Sequence, residues 1–227
     1  MAIWLDTVCR DFDHTILEAI HGFATQAGSF FSWLMYAVTI LCDDAIGMLL
    51  LGFALCAFKR TRKLGTAVLF SVAIAAIITN LTLKPLVDRA RPYTQEPFMS
   101  WWQTMGAHME SDRSFPSGHT TAAMAAMTAI FLQLNKRYSW TAFLFAILMG
   151  FTRLFFVVHY PTDVLAGFIA GALGAVIAYF VVRALYGALE KHREKKLCSL
   201  YLEADPVARL FQKLCKKEKA AKSDENA

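Results

Sequence analysis

Apolar residues run in long blocks over most of the chain, separated by short polar breaks. The blocks lie at about 33–58, 64–84, 117–134, 138–158 and 161–187. Each approaches or exceeds the ~20 residues that a helix needs to cross a bilayer. The pattern predicts an all-α integral membrane protein with about five transmembrane helices in one bundle. Asp43 and Asp44 fall inside the first block. If that block is one helix, its carboxylates must face the bundle interior or water rather than lipid. Ahead of the blocks, Phe12, Ile16, Ile20 and Phe23 recur at helical spacing among Asp, Glu and His residues, which predicts an amphipathic helix lying on a membrane surface.

Beyond residue 187 the chain is charged and ends "KEKAAKSDENA", a composition with too little apolar surface to support a core. Within it "DPVARLFQKLCKK" reads as a short helix, with Asp205 as cap and Pro206 in the first turn. Val207, Leu210, Phe211 and Leu214 form its apolar stripe, suited to a membrane surface or to a docking partner. The chain divides accordingly into an amphipathic segment (1–28), a transmembrane domain (29–187) and a basic tail (188–227).

Composition agrees with a membrane class: 56% of residues are hydrophobic and the mean hydropathy is +0.41, too apolar for an ordinary soluble domain. Much of the net charge of +5 comes from "KRTRK" (59–63), "NKR" (135–137) and "KHREKK" (191–196). These fall on one side of a five-span topology, which the positive-inside rule makes cytoplasmic. The basic charge therefore sets orientation in a plasma membrane, and no nucleic-acid partner is expected. The outer side then holds the N-terminus, the connection 85–116 and the turn near 159–161, with Trp101 and Trp102 as interface anchors. The five cysteines (Cys9, Cys42, Cys56, Cys198 and Cys215) lack metal-ligand spacing and argue against a disulfide framework, a Cys9–Cys42 bridge being open only if both face the outside. No basic segment followed by an apolar run and a small-residue cleavage site opens the chain, so no cleavable signal peptide is expected.

Polar residues cluster at the outer ends of the predicted helices. In "KPLVDRARP" (84–92), Lys84 and Arg91 are seven residues apart, which returns to nearly the same helix face. Two such cations suit a phosphate, although juxtamembrane Lys and Arg also simply snorkel. Asp88 and Arg89 between them suit a mutual pair. In "SFPSGHT", Ser117 is placed to cap a helix whose first N–H groups face an anion, Gly118 lets the backbone come close, and His119 follows in the first turn. In "RLFFVVHYPTD" (153–163), Arg153 ends one helix, His159 sits in a turn, and Pro161 and Asp163 start the next. A carboxylate there reaches back toward His159, leaving the other ring nitrogen basic. A structural His–Asp pair would look the same. Together the clusters supply donors for phosphoryl oxygens and a proton for a leaving group, the requirements of phosphoryl transfer.

These segments resemble the three motifs of the type 2 phosphatidic acid phosphatase superfamily: "KPLVDRARP", "PSGH" (116–119) and "TRLFFVVHYPTD" (152–163), the last with Thr152 where the family usually has Ser. The resemblance covers roughly residues 30–187. It implies His159 as the nucleophile of a phosphohistidine intermediate, Asp163 as its orienting carboxylate and His119 as general acid. It also implies that Lys84, Arg91, Ser117, Gly118 and Arg153 bind phosphate, with no metal and no cofactor. The substrate class it implies is a lipid phosphate cleaved at the extracytoplasmic surface. The small size and short N-terminus look most like undecaprenyl-diphosphate phosphatases. Phosphatidylglycerophosphate or phosphatidic acid is the alternative substrate, and transfer to another lipid the alternative reaction.

Overall fold

The computed structural model describes residues 1–105 and 109–206, with the backbone alone at Asp44. The chain is helical throughout these residues. Two N-terminal helices, α1 (Ala2–Val8) and α2 (Arg10–Gln26), lead into α3 (Gly28–Ile40) and α4 (Ile46–Cys56). Next come α5 (Arg62–Ala76), which continues through a π-helical segment (Ile77–Leu83) into α6 (Lys84–Val87), and α7 (Phe98–Met105) in the long connection. The remainder is α8 (Gly118–Gln133), α9 (Lys136–Ser139), α10 (Ala142–Phe155), α11 (Pro161–Lys191) and α12 (Lys196–Glu203). Three helical stretches among the described residues are long and apolar enough to cross a membrane: Arg62–Thr94, Lys136–Phe155 and Pro161–Lys191.

The first predicted span is not one helix. It breaks after Ile40 into a 3₁₀ turn at Asp43–Ala45, where Ala45 takes φ 61°, and resumes at Ile46. Asp at mid-helix competes for backbone hydrogen bonds and is costly in hydrocarbon. The break instead lets the Asp43 side chain stand two-thirds exposed beside α8. The tail helix expected over 205–217 lies, from residue 207 on, outside the described residues.

The core is built around α8, which packs on α5, α10 and α11. Its sixteen residues are mostly Ala, Thr and Gly, small enough for neighbouring helices to approach on every side. Gly171 of α11 shows the closeness: a Cβ there would lie 2.5 Å from the Thr121 carbonyl oxygen of α8. Gly174 plays the same part against the Ala75 backbone of α5, at 2.8 Å. The start of α11 is fixed locally. Pro161 occupies its first turn, and Asp163 at the third position accepts the Tyr160 N–H at 2.8 Å.

Helix α2 also turns inward a face that its apolar stripe does not mark. Asp13, Leu17 and Ala24 are buried against the bundle, while Phe12 and Phe23 stay nearly half exposed. The two tryptophans expected as interface anchors are partly exposed and also pack on protein. Trp101 stacks on His21 of α2 at 4.5 Å, and Trp102 lies 5.0 Å from the Tyr93 ring. Cys9 and Cys42 are both free thiols. At the opposite end, α12 lies against the α4–α5 junction. There Arg62 donates to the Tyr201 carbonyl at 2.6 Å, and the Thr66 and Tyr201 hydroxyls stand 2.7 Å apart.

Candidate active site

The ends of α6, α8, α10 and α11 meet at one end of the bundle. A cavity of about 380 Å³ lies beside them. Lys84, Arg91, Gly118, His119 and His159 line it together with the apolar Leu49, Val72, Ala73 and Ala76. Polar and apolar groups thus share one cavity, its apolar wall coming from α4 and α5. Arg153 lines an adjoining pocket with His119 and Asp43. The remaining two motif residues, Ser117 and Asp163, are fully buried behind the cavity wall. Ser117 occupies the N-cap position of α8, but its hydroxyl accepts from Thr120 Oγ1 at 3.0 Å and makes no cap bond. Its N–H donates to the Asp163 carbonyl at 3.1 Å, joining the starts of α8 and α11.

His159 is 1% exposed. Arg91 Nη1 lies 3.3 Å from its Nε2. A guanidinium only donates, so this contact makes Nε2 an acceptor and places the ring proton on Nδ1. Arg91 is itself held by the Val158 carbonyl at 3.0 Å. Burial first, and then the cations Arg91, Arg153 and Lys84, push the pKa of this turn residue well below its ordinary value. The imidazole is neutral at pH 7, with its Nε2 lone pair on the cavity side.

Behind the ring, Nδ1 stands 3.6 Å from Asp163 Oδ2, beyond hydrogen-bond reach. Ser114 closes the gap. Its hydroxyl donates to Asp163 Oδ2 at 2.5 Å and lies 3.4 Å from His159 Nδ1. The directions are consistent from ring N–H to hydroxyl to carboxylate. Sequence reasoning missed Ser114; its place three residues before Ser117 is the sole local hint. Asp163 Oδ1 accepts from Arg89 Nη1 at 2.7 Å. Arg89 does not pair with Asp88 as its neighbourhood suggested. Asp88 takes φ 54°, ends α6 and pairs outward with Arg113. The Arg89 side chain turns inward, 1% exposed, with its guanidinium 3.9 Å over the Tyr160 ring.

His119 Nε2 is buried, makes no hydrogen bond among the described residues, and lies 3.6 Å from Asp43 Oδ1. The three cavity cations are occupied by carboxylates from the stretch 109–113. Asp112 pairs with Lys84 and Arg91, and Glu110 with Arg153. Burial acts to raise the Asp112 carboxyl, but the ammonium of Lys84 and the guanidinium of Arg91 outweigh it and hold the pKa down at about 2. Neither acid was singled out from the sequence. Among the described residues no group of three or more His, Cys, Asp and Glu side chains is placed to hold a metal ion.

The family described as "PAP2 superfamily" matches residues 64–186, a stretch that contains every motif residue named above. Undecaprenyl-diphosphatase BcrC of Bacillus subtilis (strain 168) is 29% identical over 163 residues, covering 71% of this chain and 79% of that protein. Lipid A 1-phosphatase of Rhizobium johnstonii is 30% identical over 172 residues, covering 72% of this chain and 66% of that protein. Among solved structures, the first transmembrane PAP2-type phosphatidylglycerolphosphate phosphatase from Bacillus subtilis superposes with a TM-score of 0.58 at 22% identity. That superposition covers 86% of this chain and 92% of the other, and it shows a shared fold.

Proposed function

The chain belongs to the PAP2 superfamily of membrane phosphatases, and from that membership we propose that it removes the terminal phosphate of a lipid (poly)phosphate through a phosphohistidine intermediate. The observation that carries this reading is the hydrogen-bonding of His159. Arg91 holds Nε2 as an acceptor on the cavity side, and Ser114 and Asp163 hold Nδ1–H from behind. A neutral imidazole, oriented with Nε2 unprotonated, is an activated nucleophile once Arg91 turns from Nε2 to the phosphate oxygens.

In the proposed reaction, Nε2 attacks the terminal phosphorus and the bond to the bridging oxygen breaks. The electron pair goes to that oxygen, which His119 protonates as it leaves. Lys84, Arg91 and Arg153 stabilise the charge on the non-bridging oxygens, with Ser117 and the Gly118 backbone completing the α8 end of the site. The phosphorylated ring becomes cationic, and Asp163 supports it through Ser114. Water then attacks phosphorus, His119 takes its proton, the P–N bond breaks, and inorganic phosphate leaves with His159 restored.

Undecaprenyl diphosphate, giving undecaprenyl phosphate, is the proposed substrate. The apolar wall of α4 and α5 suits a hydrocarbon chain, and the Bacillus subtilis diphosphatase covers most of both chains. The broken α3–α4 pair and helices α5, α8, α10 and α11 are the proposed five crossings, with residues 1–28 at the outer surface and 188–227 as a cytoplasmic tail. The basic breaks then lie on the cytoplasmic side and the cavity opens extracytoplasmically in the plasma membrane.

Phosphate release from polyprenyl diphosphate, phosphatidylglycerophosphate and phosphatidic acid, without added metal, tests the reading. The diphosphate is expected to turn over fastest. His159→Ala is expected to abolish release while the purified protein keeps its melting transition. Retained turnover in that variant overturns the nucleophile assignment, and a faster reaction with either glycerolipid overturns the substrate.

A further inference from the structure

Asp13 lies on α2, far before the region shared with the family, yet it is fully buried. It accepts from Arg89 Nη2 at 2.7 Å, from the Thr162 N–H at 2.9 Å and from the Thr162 hydroxyl at 2.7 Å. Thr162 is the residue before Asp163, and Arg89 is the cation on Asp163 Oδ1. Both contacts therefore converge on the carboxylate behind His159.

The charges explain why a second buried carboxylate is useful there. Arg89 paired with Asp163 alone would make a neutral couple, and a ring that becomes cationic would gain little from it. Asp13 shares the guanidinium, so Arg89, Asp13 and Asp163 together carry a net negative charge. Asp6 adds a further carboxylate on Arg89 Nε at 2.7 Å, but its side chain is about half exposed and screened. Asp13 also fixes the first turn of α11, whose orientation aims Asp163 at Ser114 and His159.

We propose that Asp13 is a positioning residue for phosphoryl transfer, acting through Arg89 and the first turn of α11 to hold Asp163 aimed behind His159. The inference rests on His159 as nucleophile. It makes the N-terminal helix part of the catalytic apparatus.

The test uses the full-length protein in detergent with farnesyl diphosphate as probe. It compares wild type with Asp13→Asn, Asp13→Glu and Leu17→Ala. Leu17, also fully buried on α2, reports loss of packing without loss of charge. Asp13→Asn is expected to lower kcat roughly tenfold to a hundredfold with KM changed less than about twofold. Asp13→Glu, which keeps the charge, is expected to recover part of kcat. Leu17→Ala is expected to lower the melting temperature while keeping kcat. Wild-type kcat in Asp13→Asn overturns the proposal, as does a kcat loss in both variants that simply follows the fall in melting temperature. Wild type quenched in strong base, in which a phosphoramidate survives, is assayed in parallel for phosphohistidine. Its absence overturns the nucleophile reading instead, so the two failures are separable.

Discussion

The two ends of the bundle use the same residue types in opposite ways. At the basic end, Lys59 and Arg193 pair with Glu203, and every one of these side chains is more than a third exposed. At the motif end, Arg89 pairs with Asp13 and Asp163, and all three are 1% exposed or less. Exposed pairs are worth little because water and salt compete for each charge. Buried pairs are held by full sets of hydrogen bonds, and removing one partner strands the rest. Charge on this protein is therefore informative where it is buried against other charge, and the buried set surrounds His159.

The largest separation between the two ends is expected from Arg89→Met. It leaves Asp13 and Asp163 buried without their cation, at a cost of about 3–5 kcal/mol. Phosphate release should fall with it. Thermal unfolding in detergent checks this, and an unchanged melting temperature would make the buried network no more important than the exposed one.

A smaller effect is expected at the cavity mouth. Asp112 occupies Lys84 and Arg91, the cations proposed for phosphate, and its side chain is half exposed. Asp112→Asn should lower KM by roughly two- to fivefold, the scale of a half-exposed ion pair. A raised KM would mean that Asp112 holds these cations in place for the substrate. The sign of the pH dependence follows from the shift. Asp112 titrates at about 2 instead of 3.8, so its contribution is complete above 3.8 and is lost as pH falls through 2. Between about pH 4 and 8 the difference in KM between variant and wild type should be constant. The smallest effect is expected at the basic end, where Glu203→Gln should leave melting temperature and turnover without resolvable change.

The parts of the site that could be read from the sequence are those carried by short spacing. Lys84 and Arg91 share a stretch of nine residues, and Pro161 and Asp163 mark a helix start by their chemistry alone. The structure brings Lys84, Arg91, Gly118, His119 and His159 to one cavity. Ser114, Arg89, Asp13, Glu110 and Asp112 were not legible as site residues. Their partners are 21 to 149 residues away in the chain, and no local pattern reports such a contact. Arg89 stood inside a motif and was read with its neighbour Asp88, but the left-handed turn at Asp88 sends the two side chains in opposite directions. The inward face of α2 was not legible for a similar reason. Helical periodicity finds an apolar stripe, but the face that packs here is centred on an aspartate.

Hydropathy and motif spacing, which are properties of the chain alone, were enough to establish an all-helical membrane protein with a polar cluster at one end. Both follow from local rules: the thickness of a bilayer and the pitch of a helix. The state of that cluster depended on packing. The proton sits on His159 Nδ1 because Arg91, 68 residues earlier, presents only donors to Nε2. The first apolar block breaks beside His119, and a carboxylate of the N-terminal helix lies behind Asp163. Hydrogen bonds between distant groups form only when glycine and alanine faces let α5, α8 and α11 close together. No stretch of sequence encodes that approach by itself.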